Sequence, residues 1–223
     1  MWIKVCGCVD VANAIAVAEC GVDAIGLNFY PKSKRFVAAD SAAEISSALL
    51  GQFGDRVDRV GLFVNAAVEQ IAATVQDVGL THVQLHGDES PAFATDLATQ
   101  LCSDAIRIIR AVRAATVEEA RDEIAAFQAA GCSHVLLDAY ADDAYGGTGH
   151  RIDWGKFTKS ALVAPGDRSP HLTLAGGLVP ENVAEAVAVV RPDGVDVASG
   201  VEEQPGWKSI EKVRDFVAAA RGA

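Results

Sequence analysis

The sequence predicts an α/β fold of one domain, a (β/α)8 TIM barrel spanning residues 1–223. Three observations point there. Short β-rich runs recur about every 28 residues along the whole chain, each followed by an Ala-rich helical stretch. Alternating strands and helices imply a parallel sheet with right-handed crossovers. Eight such units at this length close naturally into a barrel, whereas an open doubly wound sheet usually shows Gly-x-Gly-x-x-Gly after its first strand. Here that position reads Cys6-Gly-Cys-Val-Asp10.

The expected strands are Trp2–Cys6, Asp23–Phe29, Arg59–Val64, His82–His86, Ile106–Val112, His134–Asp138, His171–Ala175 and Gly194–Ala198. Helix signals lie between them. Ser90-Pro91 reads as N-cap and first helical residue. Thr116-Val-Glu-Glu119 is a capping box, and Pro180-Glu-Asn-Val-Ala184 begins another helix. Gly21, Gly79 and Gly131 each close a helix before the next strand. The helical segment after Asp138 is the weakest of the eight.

Composition removes several functional classes. The chain is 50% hydrophobic and only 6% aromatic, which favours many small, closely packed elements. Its 19 basic and 30 acidic residues leave a net charge of −11, a poor match for nucleic acid or for an anionic membrane. No apolar run approaches the length of a membrane span. Lys4 and Asp10 interrupt any signal-peptide core. Five scattered cysteines suggest neither a disulfide framework nor a zinc site, so the expectation is a reduced, cytoplasmic protein without a metal.

In this fold the loops after the strands carry the chemistry. The ends of the last two expected strands are glycine-rich: Gly176 and Gly177, then Ser199 and Gly200. Bare backbone N–H groups there can surround a phosphate, though glycines also serve simple turns. Gly146-Gly147-Thr148-Gly149 could close over the same ligand from the sixth strand.

Alternation along the first strand puts Lys4 and Cys6 on one face and Ile3 and Val5 on the other. The outer face needs apolar residues for helix packing, so Lys4 and Cys6 should point inward. An inward lysine needs a carboxylate, and Asp196 on the eighth strand is the candidate. A cation beneath Cys6 would favour its thiolate. The bland alternative is an inert core cysteine. Asp138 ends the apolar run Val135-Leu-Leu137 and is either a helix cap or a catalytic acid. His86 is the one histidine at a strand C-terminus, with no orienting third group evident. The cluster Lys32-Ser-Lys-Arg35 is either a solvated face or a holder of a ligand carboxylate, for which arginine supplies a two-pronged fork.

Lys4-Val-Cys-Gly7, Asn28-Phe-Tyr-Pro-Lys-Ser-Lys-Arg35, Val60-Gly-Leu-Phe-Val-Asn65 and Val83-Gln-Leu-His-Gly-Asp-Glu-Ser90 together resemble phosphoribosylanthranilate isomerase of tryptophan biosynthesis. So do Leu136-Leu-Asp138, Tyr145-Gly-Gly-Thr-Gly149, Leu174-Ala-Gly-Gly-Leu178 and Gly194-Val-Asp-Val-Ala-Ser-Gly-Val-Glu202. The ordered set covers nearly the whole chain.

The resemblance implies a barrel enzyme with no cofactor, a small phosphosugar substrate, and a monomeric or homodimeric state. It implies an Amadori rearrangement of N-(5-phosphoribosyl)anthranilate to the deoxyribulose 5-phosphate product. It further implies Cys6 as general base, Asp138 as general acid and Arg35 as the clamp on the anthranilate carboxylate. Phosphate binding falls to Gly176, Gly177, Ser199 and Gly200, with Gly147 nearby. Two features depart from the pattern: Cys8 stands where an aliphatic residue is expected, and Asp142-Asp143 adds negative charge before Gly146. The related isomerase of histidine biosynthesis carries an Asp at the position of Cys6. Indole-glycerol-phosphate synthase needs a catalytic lysine on the first strand, where Lys4 sits too deep. A non-catalytic phosphosugar-binding barrel would not need both Cys6 and Asp138.

Overall fold

The computed structural model describes residues 1–103, 105–138, 154–163 and 169–223. Eight parallel strands close into a barrel in chain order: β1 (Trp2–Cys6), β2 (Ala24–Asn28), β3 (Asp58–Phe63), β4 (His82–Leu85), β5 (Arg107–Arg113), β6 (His134–Asp138), β7 (His171–Leu174) and β8 (Gly194–Val197). The ring shuts where β8 pairs with β1, with Lys4 opposite Asp196. Each strand falls within one or two residues of its expected run. The segments containing Gly147 and Asp142-Asp143 lie outside the described residues.

The helices form where local chemistry starts and stops them. They are α1 (Val11–Glu19), α2 (Ala39–Phe53), α3 (Val68–Val78), α4 (Pro91–Leu101), α5 (Val117–Ala129), α6 (Lys159–Leu162), α7 (Val183–Val190) and α8 (Ile210–Arg221). Ser90 Oγ accepts from the Phe93 N–H at the start of α4, and Thr116 with Glu119 makes the expected capping box of α5. Gly21, Gly79 and Gly131 all take left-handed backbone, the conformation that ends a helix cheaply only at glycine.

Two differences from the sequence reading stand out. The first concerns α7, which begins at Val183 rather than at Pro180. Asn182 accepts from the Val179 N–H and donates to the Gly177 carbonyl, so the preceding turn folds back towards β7. The second is a small antiparallel hairpin, β9 (Glu202–Gln204) with β10 (Trp207–Lys208), between β8 and α8.

The core has two parts. Ile3 and Val5 are fully buried on the outer face of β1, in the large cluster between barrel and helices that includes Val17, Leu49 and Phe216. Burying each such side chain contributes about 1.5–3 kcal/mol. Inside the barrel Ala24, Val60, Ile109, Ala111, Leu136 and Ala175 form a second cluster with Trp2. Ala24, the register partner of Lys4 on β2, keeps the space beside it small-sided.

The N-terminal floor of the barrel is a histidine cluster against Trp2. His134 Nε2 lies 2.8 Å from Thr173 Oγ1 and 3.0 Å from His171 Nδ1, and His82 Nδ1 lies 2.9 Å from Thr81 Oγ1. Burial, then His171, His82 and Lys4, pushes His134 down to about 2. Burial also lowers His82 and His171. Unfolded histidine takes a proton near pH 6.5 while the folded His134 does not, so stability is whole above that pH and is lost as pH falls. At pH 4.5 the difference amounts to about 3 kcal/mol for His134 alone. Urea unfolding of His134→Gln is expected to lack that share of the acid sensitivity between pH 7 and 4.5. An unchanged slope in the variant would show that His134 carries none of it.

Candidate active site

The site residues expected from the sequence converge, where described, on one cleft of about 570 Å³ at the C-terminal ends of the strands. Cys6 ends β1 and Asp138 ends β6, on different sides of the mouth. Arg35 enters from the turn between β2 and α2. Gly176 and Gly177 follow β7 with φ of 85° and 66°, conformations that suit glycine. Ser199 and Gly200 open a 3₁₀ turn after β8, and all four residues line the same cleft. A Cβ on Gly200 would run into the Leu178 carbonyl, so only glycine lets the loops after β7 and β8 approach so closely. Gly147 alone of the expected site residues lies outside the described residues.

Beneath the cleft, Lys4 is fully buried with its Nζ 2.9 Å from Asp196 Oδ1, the pair anticipated from strand register. Burial pulls the Lys4 ammonium down, but Asp196 and Cys6 outweigh it and hold Lys4 above its ordinary value. Gly26 on β2 makes the space: a Cβ there would lie 2.8 Å from Cys6 Sγ and 3.1 Å from Lys4 Cε.

The expected help of Lys4 to the Cys6 thiolate is present, but burial outweighs it. Burial pushes the Cys6 thiol up, and the opposing pull of Lys4 and Lys208 does not cancel it. Desolvation of the charged form dominates at this depth. Cys8, the extra thiol, is fully buried and pushed up to about 12, so it is an inert neighbour.

His86, the histidine just after β4, lies between Gln84 and Asp138. Its Nδ1 lies 2.9 Å from Gln84 Nε2, and its Nε2 lies 3.4 Å from Asp138 Oδ2. Gln84, His86 and Asp138 all line the cleft, so this row of polar groups runs to Asp138 rather than to Cys6.

Arg35 is already engaged. Its Nε and Nη2 each lie 2.7 Å from the two Glu202 carboxylate oxygens, a two-pronged pair that raises the Arg35 pKa. Sequence reasoning placed Glu202 in a motif without giving it a task, and it passed over Lys208 entirely.

The arrangement offers an inward thiol, a carboxyl group across the mouth, a guanidinium and two glycine-rich loops around one ligand-sized space. Among the described residues no cluster of three or more His, Cys, Asp or Glu side chains could hold a metal ion. No described helix is long and apolar enough to cross a membrane.

Comparison with known proteins agrees. The family model for N-(5'-phosphoribosyl)anthranilate isomerase matches residues 3–219. A protein of that name from Myxococcus xanthus is 45% identical over 227 residues, covering 98% of this chain and 95% of its own. One from a Geobacter species is 41% identical, covering 98% of this chain and 97% of its own. The crystal structure of the Thermotoga maritima phosphoribosyl anthranilate isomerase superposes with a TM-score of 0.83 at 34% identity over the full length of both chains. A solved phosphoribosyl anthranilate isomerase in complex with reduced 1-(o-carboxyphenylamino)-1-deoxyribulose 5-phosphate superposes with a TM-score of 0.80 at 33% identity, again over both full lengths. The chain belongs to the N-(5'-phosphoribosyl)anthranilate isomerase family.

Proposed function

We propose that this enzyme isomerises N-(5'-phosphoribosyl)anthranilate to 1-(2-carboxyphenylamino)-1-deoxyribulose 5-phosphate, in tryptophan biosynthesis, with Cys6 as base and Asp138 as acid. The observation that carries the assignment is that both groups open onto one cleft with Arg35 and the loops after β7 and β8.

The steps follow from what each side chain can do. Asp138, steadied by His86, gives a proton to the furanose ring oxygen, and the ring opens to a Schiff base. The Cys6 thiolate then removes the C2' proton to give an enolamine. The enolamine gains a proton at C1' and loses its 2'-hydroxyl proton as the ketone forms, so no proton is gained or lost overall. Gly176, Gly177, Ser199 and Gly200 hold the phosphate through backbone N–H groups. Each proton transfer contributes about 10²–10⁴ in rate. The same reading gives the enzyme a small phosphosugar as its partner, a cytoplasmic location, and a monomeric or homodimeric state.

The direct test generates the substrate freshly and follows loss of its anthranilate-type fluorescence. Turnover supports the reading, and binding without turnover would reduce the chain to a phosphosugar-binding barrel.

Arg35 gives a second expected result. Arg35→Ala should weaken binding of the reduced, carboxylated product analogue by about 1.5–3 kcal/mol. Binding of the same analogue without its carboxylate should change little. Equal weakening of both ligands would remove Arg35 from the carboxylate.

A further inference from the structure

Outside the catalytic pair, a buried charged unit ties three segments of the mouth together. Lys208, the last residue of β10, has a fully buried side chain, which lysine tolerates only when its ammonium is partnered. Its Nζ donates to the Cys6 carbonyl at 2.6 Å, to the Ala198 carbonyl at 3.1 Å and to Glu202 Oε1 at 2.8 Å. All three ammonium donors are thereby used. Glu202 also accepts from the Gly206 N–H at 3.0 Å and takes the Arg35 fork on both oxygens. Burial alone would raise the Glu202 carboxyl, but Arg35 and Lys208 hold it below its ordinary range.

Neither Glu202 nor Lys208 lines the cleft, yet each reaches a residue that does. Lys208 grips the end of β1 at Cys6 and the end of β8 next to Ser199. Glu202 engages the Nε edge of Arg35, and among the described residues no other hydrogen bond occupies the remaining guanidinium N–H groups, which leaves them to a ligand. The Arg35 stem is equally constrained. A Cβ on Gly7 would lie 2.5 Å from Arg35 Cδ, so the stem packs directly on the turn that follows Cys6. Two cations and one anion leave this unit positive, in a chain whose net charge is −11.

We propose that Glu202 and Lys208 are positioning residues for the isomerisation: Glu202 aims the free edge of Arg35 at the substrate carboxylate, and Lys208 locks the Cys6 end of β1 to that clamp. This rests on the functional reading above and extends it to two side chains that touch no substrate. A fork held by a carboxylate is pre-aimed before substrate arrives, so less side-chain freedom is lost on binding. Coupling the clamp to the β1 end keeps C2' of a bound ligand in register with the thiol.

The test uses the full-length protein carrying Glu202→Gln, a near-isosteric change, alongside the wild type. Two probes are titrated: reduced 1-(o-carboxyphenylamino)-1-deoxyribulose 5-phosphate and its anilino counterpart lacking the carboxylate. Glu202→Gln is expected to weaken the carboxylated probe about tenfold or more and the other less than about twofold. KM for the substrate should rise by a similar factor, while kcat stays within about threefold of wild type. A second variant, Lys208→Met, is read by peptide-resolved alkylation of Cys6 with iodoacetamide. Losing the nearby cation should slow Cys6 alkylation at pH 8 about threefold or more, with Cys102 as an exposed internal reference. Equal loss of both probes, or no loss of either, overturns the role of Glu202 even if the protein melts earlier. Unchanged Cys6 alkylation in Lys208→Met overturns the link to the base. Turnover by the wild type tests the functional reading separately, since probe discrimination does not depend on catalysis.

Discussion

Asp196→Asn is expected to lower the unfolding free energy by about 3–5 kcal/mol, because it strands the Lys4 ammonium inside the barrel. Lys4 is fully buried, and its Nζ sits 2.9 Å from Asp196 Oδ1. At that distance and depth the attraction between the two charges is what holds Lys4 in place. For a chain of this length that loss corresponds to a melting temperature lower by about 6–20 °C. The double replacement Lys4→Met with Asp196→Leu removes both charges and should recover most of the stability, or exceed wild type. Thermal and urea unfolding of the two proteins decide the matter. A loss below about 1 kcal/mol in Asp196→Asn, or a double variant no better than the single, would mean the pair is far better solvated than its burial implies.

That a hydrophobic pair would serve stability equally well raises the question of what the charges do. Lys4 lies under Cys6 and opposes the upward push of burial on the thiol. The double variant should therefore be stable and slow, which separates the two roles of one side chain.

Much of this was legible in the sequence because the fold repeats. Eight alternating units fix the barrel, and the barrel fixes which strand ends face the cleft. Alternation along β1 is enough to aim Lys4 and Cys6 inward, and closure makes β1 and β8 neighbours, so Asp196 follows as the partner of Lys4. Other features depend on distances that no periodicity encodes. Glu202 and Arg35 are 167 residues apart in sequence, and Lys208 and the Cys6 carbonyl are 202 apart. The hairpin that brings them together has strands of three and two residues, too short to show a pattern. The balance at the Cys6 thiol was legible only in part, for a related reason. A neighbouring lysine can be read from spacing, whereas the depth of burial that opposes it emerges only from packing. The start of α7 was missed because Pro180 resembles a first helical residue, while the Asn182 side chain bonds back to the preceding turn.

The largest expected effects fall on the two residues assigned to proton transfer. Cys6→Ala and Asp138→Asn should each lower kcat at least about 10²-fold. Neither should much weaken the reduced product analogue, because the loops proposed to hold the phosphate and the Arg35 proposed to hold the carboxylate are untouched. The double variant should lose less than the product of the single losses, since both groups act on one reaction. Burial holds the Cys6 thiol above its ordinary value, so thiolate is the minor form at neutral pH. For the wild type, kcat/KM should accordingly rise with pH towards the Cys6 titration, about tenfold per unit on the ascending limb if that titration alone limits the rate. Cys6→Ser should abolish both the rate and that limb, because a serine hydroxyl without an activating partner is far too weak a base. Near-native kcat in Cys6→Ser, with unchanged analogue affinity, would place the base elsewhere and leave Cys6 as one more buried core cysteine.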